Sequence, residues 1–194
     1  MKIIFATHNK NKALELQKLM PTGIEIVTLE EVGCFEEIPE TGKTLEENAI
    51  LKARYVYDKF QLSCFADDTG LEIEALNGEP GVYSARYAGL AKNDDLNMNM
   101  VLDKLKGQEN RAAQFRTVIA LFWKGKLHTF EGIVEGKMGE IKKGNQGFGY
   151  DPIFIPEDQP LTFAEMDIVT KNKMSHRARA THQMLTFIQN HLAE

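Results

Sequence analysis

The sequence predicts an α/β fold with a mixed sheet in a single domain, and three observations carry that reading. The chain opens as strand, polar turn and amphipathic helix, with Ile3-Ile4-Phe5-Ala6 followed by Thr7-His8-Asn9 and then Leu14, Leu16, Leu19 and Met20. Two long apolar-rich runs, 112–123 and 126–135, flank Lys124-Gly125, a hairpin signal that adds an antiparallel portion. No internal repeat, low-complexity tract or Pro/Ser-rich linker breaks the 194 residues, a length that suits one sizeable core or two intimate lobes, so no boundary is drawn and the domain spans 1–194.

Taken in order, residues 2–6 read as a short buried strand and residues 24–28 as a second. Residues 29–42 form a long acidic loop ending in Glu40-Thr41-Gly42, and a loop of that length usually has a function. Thr44-Leu45-Glu46-Glu47 fits a capping box for a helix running to about Phe60, on which Asn48 and Lys52 share a face. Cys64-Phe65-Ala66 predicts a strand delivering Asp67-Asp68-Thr69-Gly70 at its end, with Gly70 turning the chain, and residues 71–75 alternate like a further strand. The stretch 76–89 is mainly loop, 94–106 is a helix stopped by Gly107, and another strand follows Gly136. The last helix begins at Ser175, a good N-cap, and passes Met184, Leu185 and Ile188 to the C-terminus.

Composition narrows the function classes. Twenty-three Lys and Arg against 28 Asp and Glu give a formal charge of −5, so no broad basic field exists to hold a nucleic-acid polymer. A polyanionic ligand needs a local basic pocket instead. The apolar start is too short for a signal peptide, and no stretch approaches the roughly 18 apolar residues of a membrane span, which points to the cytoplasm. Cys34 and Cys64 form no CxxC pair and have no clustered histidines, so they read as buried thiols rather than a zinc or disulfide framework.

Five segments carry chemistry, and each has a plainer reading beside it. Thr7-His8-Asn9-Lys10-Asn11-Lys12 joins a strand to a helix start, where free backbone N–H groups and the helix dipole favour a phosphate; a polar turn with solvated lysines reads the same. Asp67-Asp68-Thr69-Gly70 sets two carboxylates at a strand end, facing opposite ways, as catalysis or as simple turn chemistry. Glu40, Glu47 and Lys52 add hard oxygen donors and a balancing cation, although Lys52 is equally a solvated helix lysine. Gly147-Phe148-Gly149-Tyr150-Asp151-Pro152 offers an aromatic that stacks on a base or packs a turn, and Lys171, Ser175, His176 and Arg177 form a donor set or a basic surface.

Together and in this order, these segments closely resemble the inosine/xanthosine triphosphate pyrophosphatase family across nearly the whole chain. The matching residues are Thr7-x-Asn9-x-x-Lys12, the run from Glu40-Thr41-Gly42 through Glu47-Asn48-Ala49 to Lys52-Ala53, and Ala66-Asp67-Asp68-Thr69-Gly70-Leu71 continuing to Ser84-Ala85-Arg86-Tyr87. Gly147 to Pro152 and Lys171-x-x-x-Ser175-His176-Arg177 complete the set. Position 8 is His where many relatives carry Gly, which alters the backbone approach to phosphate there.

The resemblance implies a two-lobed fold with a central substrate cleft, a homodimer, and water attack at the α-phosphate of a deaminated purine triphosphate (ITP, dITP or XTP), releasing pyrophosphate. It implies Mg2+ on Glu40 and Asp68, with Asp68 as general base and Lys52 holding its charge and lowering its pKa. Thr7, His8, Asn9, Lys10, Asn11, Lys12 and Thr69 are then the phosphate contacts. Phe148, Gly149, Tyr150, Asp151, Lys171, His176 and Arg177 are the base contacts, their donors matching the 6-oxo edge of hypoxanthine or xanthine. Two other readings stay open at this point: a pyrophosphatase for modified pyrimidine nucleotides, and a non-catalytic nucleotide sensor.

Overall fold

In the computed structural model, which describes residues 2–191, strand β1 (Lys2–Phe5) pairs in parallel with β2 (Glu25–Thr28) on one side and β3 (Cys64–Ile73) on the other. A strand between two parallel neighbours is covered on both faces, which explains why Ile3, Ile4 and Phe5 are all buried. Strands β4 (Ala112–Trp123), β5 (Lys126–Met138) and β6 (Phe154–Pro156) complete a six-stranded sheet in the order β2-β1-β3-β4-β5-β6, with β6 antiparallel to β5. Lys124 (φ 47°) and Gly125 (φ 81°) both take the left-handed conformation that a two-residue hairpin of this twist needs.

Five α-helices accompany the sheet: α1 (Lys10–Gln17), α2 (Leu45–Phe60), α3 (Asp94–Lys104), α4 (Ile168–Met174) and α5 (His176–Asn190). The start of α2 is fixed as the sequence predicts, since the Glu47 N–H donates to Thr44 Oγ1 at 3.1 Å. The Glu47 carboxylate reaches one residue further back than a capping box requires and accepts from the Lys43 N–H at 2.6 Å. The helix ends at Gln61, whose φ of 52° breaks the α geometry.

The chain forms two compact units, one comprising the residues up to Asp68, Thr117–Gly132 and those from Arg177 on, the other Thr69–Arg116 and Ile133–His176. The first has a core around Ile3, Phe5, Leu16, Phe65, Leu121 and Ile188, in which the Phe5 and Phe65 rings stack 4.5 Å apart. The second is built around Leu71, Val101, Phe115, Phe154 and Phe163. Each of these fully buried large apolar side chains stabilises its unit by about 1.5–3 kcal/mol.

Three expectations are corrected. Asp67, Asp68 and Gly70 lie inside one continuous strand, β3, so the carboxylates do not end a strand and Gly70 makes no turn. Gly136 sits within β5, opposite Pro156, and the next strand comes only with β6. The last helix, α5, does start directly after Ser175 as expected, and a further helix, α4, precedes that residue. Leu14 is 61% exposed, because the short α1 buries a face made of Glu15 and Leu16. The end of the predicted last helix, residues 192–194, lies outside the described residues.

Both cysteines are buried, and burial pushes the Cys64 thiol up to about 12 while its hydrogen bonds to the Ala53 carbonyl at 3.3 Å. Since the thiolate is the nucleophile, Cys64 is expected to resist iodoacetamide in the native protein at pH 8. Mass spectrometry should show its full alkylation only after denaturation.

Candidate active site

Strand alternation decides how the first unit arranges its charges. Adjacent residues of β3 point to opposite faces, and Asp67 and Asp68 accordingly have different primary partners. The Asp67 carboxylate accepts from Lys12 Nζ at 3.1 Å and from Arg177 Nε at 3.2 Å, while Arg177 Nη1 donates to Glu15 at 2.6 Å. Lys12 and Glu15 lie three apart on α1 and Arg177 lies at the start of α5, so a relay of alternating charge binds two helices to the strand. Burial raises the Asp67 pKa, but Lys12, Arg177 and Lys52 outweigh it and hold the carboxyl well below its usual range. Burial likewise disfavours the charge on Arg177, and Asp67 and Glu15 more than restore it.

On the other face, Asp68 meets one side of α2. Lys52 Nζ donates to Asp68 Oδ1 at 3.1 Å and to Glu40 at 2.6 Å, while Asn48 Nδ2 donates to Asp68 Oδ2 at 3.2 Å. The i, i+4 spacing of Asn48 and Lys52 places one donor opposite each oxygen. Burial favours the uncharged lysine, yet Asp68, Glu40 and Asp67 reverse this and keep the Lys52 ammonium charged. Lys52 pulls the Asp68 pKa down as expected, but the net shift is upward. Burial raises it, and the pull of Lys52 and Lys12 does not offset that rise, to which Glu40 also adds. A raised carboxylate is the stronger base.

The N-terminal loop is more self-satisfied than the sequence predicts. The Asn9 side chain caps α1 by accepting from the Asn11 and Lys12 N–H groups at 3.0 and 3.2 Å, and Thr7 Oγ1 accepts from the Asn9 N–H at 3.1 Å. Those amides are not free donors here, so attraction for an anion falls mainly to the Lys12 ammonium and the helix end. His8 Nε2 lies 3.0 Å from the Glu36 carbonyl, and Lys10 pairs loosely at 3.8 Å with exposed Glu30. Thr69 is half-buried within β3.

In the second unit a separate group forms around Asp151. Its Oδ2 accepts from Lys171 Nζ at 2.6 Å and from the Phe148 N–H at 2.9 Å, and Lys171 Nζ lies 5.3 Å from the centre of the half-buried Phe148 ring. The carboxylate packs so closely on Gly147 (φ 74°) that any Cβ there would collide with it, which accounts for glycine at that position. His176 is buried, its ring stacked 4.6 Å from Phe115. Tyr150 is a core residue whose hydroxyl donates to the Ser84 carbonyl at 2.7 Å, and the Gly149 N–H donates to Asp94. His176 and Arg177, though consecutive, thus join different groups: His176 the aromatic one, Arg177 the carboxylates.

Two residues escaped the sequence reading. Glu15 was assigned nothing and Asn48 only a place on the helix face, although both are buried and polar. The signal for Glu15 is an acid beside Leu16 on the inner side of a short helix, three residues from Lys12.

Among the described residues no three His, Cys, Asp or Glu side chains gather into a closed metal site. The donor set that exists is a pair of carboxylates, Glu40 and Asp68, drawn to one cationic point, the Lys52 ammonium. Mg2+ is commonly bound through one or two carboxylates, with water and substrate phosphates completing its shell, so these residues fit it. A concavity of about 850 Å3 in the second unit has none of the candidate residues in its lining. Its wall of Glu72, Glu74, Glu135, Glu157 and Asp158 against Lys137 is unsuited to a triphosphate.

The pattern of the Ham1 family matches residues 3–187. The chain belongs to the Ham1 family. The dITP/XTP pyrophosphatase of Flavobacterium johnsoniae is 54% identical to this Ham1 chain over 188 residues, covering 97% of it and 98% of the relative. That of Bacillus subtilis is 47% identical, covering 96% of each chain. Among solved structures, the Ham1 protein of Staphylococcus aureus superposes with a TM-score of 0.89 at 37% identity, covering 98% of this chain and 99% of that one. The Staphylococcus aureus protein thus has the same fold over nearly its whole length.

Proposed function

We propose that this chain hydrolyses deaminated purine nucleoside triphosphates, ITP, dITP and XTP, to the monophosphate and pyrophosphate, with Mg2+ as cofactor. The single observation that carries the proposal is the convergence of Asp68 and Glu40 on buried Lys52, beside the Lys12–Asp67–Arg177 relay. Relatives named dITP/XTP pyrophosphatase at 54% and 47% identity support the substrate class. The homodimer and the cytoplasmic location belong to the same proposal, supported by family resemblance; no described helix is long and apolar enough to cross a membrane.

In this reading the charged residues around Asp67 and Asp68 serve the triphosphate. Lys12, held by Asp67, supplies the phosphate cation, with Thr7, Asn9 and Thr69 as polar contacts and His8, Lys10 and Asn11 at the rim. Asp68 orients the attacking water and takes its proton on a carboxylate oxygen. Lys52 and Asn48, one on each carboxylate oxygen, fix its direction. Bound by Glu40 and Asp68, Mg2+ would supply Lewis-acid neutralisation of the phosphate charge. The water oxygen bonds to the α-phosphorus, pyrophosphate leaves, and Asp68 releases its proton to solvent.

The base contacts in this reading are Phe148, which stacks on it, and Lys171 and His176, which donate to its 6-oxo edge. Asp151 and the Gly147–Tyr150 turn hold Lys171 and Phe148 in place, and Arg177 acts first through Asp67. Adenine presents an amino group where the 6-oxo oxygen would sit, leaving each such donor unpaired at a cost of about 1–3 kcal/mol. Lys171→Met is therefore expected to cut the ITP-over-ATP ratio of kcat/KM on the order of tenfold; an unchanged ratio would remove Lys171 from base reading. The test of the whole proposal is pyrophosphate release from ITP, which should be linear with enzyme and stop when EDTA is added. A chain that binds ITP without consuming it would be a sensor instead.

A further inference from the structure

We infer that Asn48 is a positioning residue for catalysis, clamping the two carboxylate-bearing segments of the site to each other; this rests on Asp68 being the base proposed above. Asn48 is fully buried and uses both ends of its amide. Its Nδ2 donates to Asp68 Oδ2 at 3.2 Å, and its Oδ1 accepts from the Gly42 N–H at 2.8 Å, two residues beyond Glu40. One planar group therefore joins the strand that carries Asp68 to the loop that carries Glu40. Lys52 joins the same two segments one helical turn further on, through Asp68 Oδ1 and Glu40.

The chemistry requires an amide. A carboxylate of the same shape would still accept from Gly42 but would set a second negative oxygen against Asp68, and an apolar side chain would do neither. Because the Gly42 bond determines which end of Asn48 is the acceptor, the donor end is committed to Asp68. The fit is close on the loop side too: a Cβ at Gly42 would stand 2.7 Å from Asn48 Oδ1 and 2.9 Å from its backbone N, with the Glu47 Cβ also at 2.7 Å. The loop cannot move toward α2 without displacing the amide, so glycine is needed at 42 as asparagine is at 48.

Asp68 and Glu40 are also the proposed Mg2+ ligands, and removing a group that orients a metal ligand typically costs 10–100-fold in metal affinity or activity. Asn48→Asp is expected to lower kcat for ITP by about that factor, while KM, and binding of a non-hydrolysable ITP analogue measured by calorimetry, stay within about threefold because no phosphate or base contact is touched. Gly42→Ala, which displaces the amide from the loop side without altering Asp68 or Asn48, should show the same split and serves as the decisive variant where Asn48→Asp does not fold. A double variant should lose less than the product of the two single losses, since both break one clamp. A folded Asn48→Asp or Gly42→Ala enzyme with wild-type kcat would overturn the inference, as would an equal loss in kcat and analogue affinity, which would make Asn48 a general support. Wild-type turnover of ITP is measured alongside: its absence rejects the proposed function, whereas its presence with an unaffected variant rejects only the clamp.

Discussion

Asp68→Asn is expected to reduce pyrophosphate release from ITP by about 10²–10⁴-fold, the usual contribution of a general base. The substitution keeps the shape of the side chain but cannot keep its bonds. Asp68 receives one donor on each oxygen, from Lys52 and from Asn48. An amide must therefore turn its NH2 toward one of two donors, and Asn48 cannot flip to help because its oxygen is held by Gly42. A modest loss of stability, about 1–3 kcal/mol for the mismatched buried group, should accompany the loss of turnover. Circular dichroism and calorimetric binding of a non-hydrolysable analogue separate the two: a folded variant that binds and does not cleave places Asp68 in the catalytic step, and one retaining near wild-type kcat would transfer the role elsewhere.

Arg177→Met is expected to give the largest stability loss. Arg177 is the shared cation of Asp67 and Glu15, and all three side chains are nearly inaccessible. Breaking a buried pair by removing one partner costs about 3–5 kcal/mol, which for a chain of this size lowers Tm on the order of 10 °C. The effect depends on pH in a defined direction. The folded pKa of Asp67 is depressed, so its stabilising contribution is fully present above the unfolded value near ~3.9 and is lost as pH falls toward the folded value. Without Arg177 the depression shrinks, so the Tm deficit should hold steady from neutral pH down to about 4 and narrow only as the pH falls below the unfolded value. A deficit independent of pH would assign the loss to packing alone.

Residues whose partners are local or whose alternation is regular were legible before the structure was known. The Thr44 cap, the end of α2 near Phe60, the shared face of Asn48 and Lys52, the Lys124-Gly125 hairpin and the opposite facing of Asp67 and Asp68 all follow from period and turn chemistry. What stayed hidden depends on distant partners. Glu15 and Arg177 are 162 positions apart, and although Glu15 beside Leu16 hints at a buried acid, nothing near it points to a guanidinium on α5 as its partner. The continuity of β3 was missed because Asp-Asp-Thr-Gly has turn composition; burial against Lys12, Lys52 and Arg177 overrides that local preference. Asn9 was read as a substrate contact, and in the structure its first role is to cap α1. The Asp68 pKa was misjudged for a related reason, since the sequence shows a neighbouring lysine but not the burial that outweighs it.

The most direct test of the central claim is pyrophosphate release from inosine, xanthosine, adenosine and guanosine triphosphates, each with Mg2+ and with EDTA. The account predicts rapid cleavage of the first two, far slower cleavage of the others, and no release without the metal. Equal cleavage of all four, or release undiminished by EDTA, would contradict it.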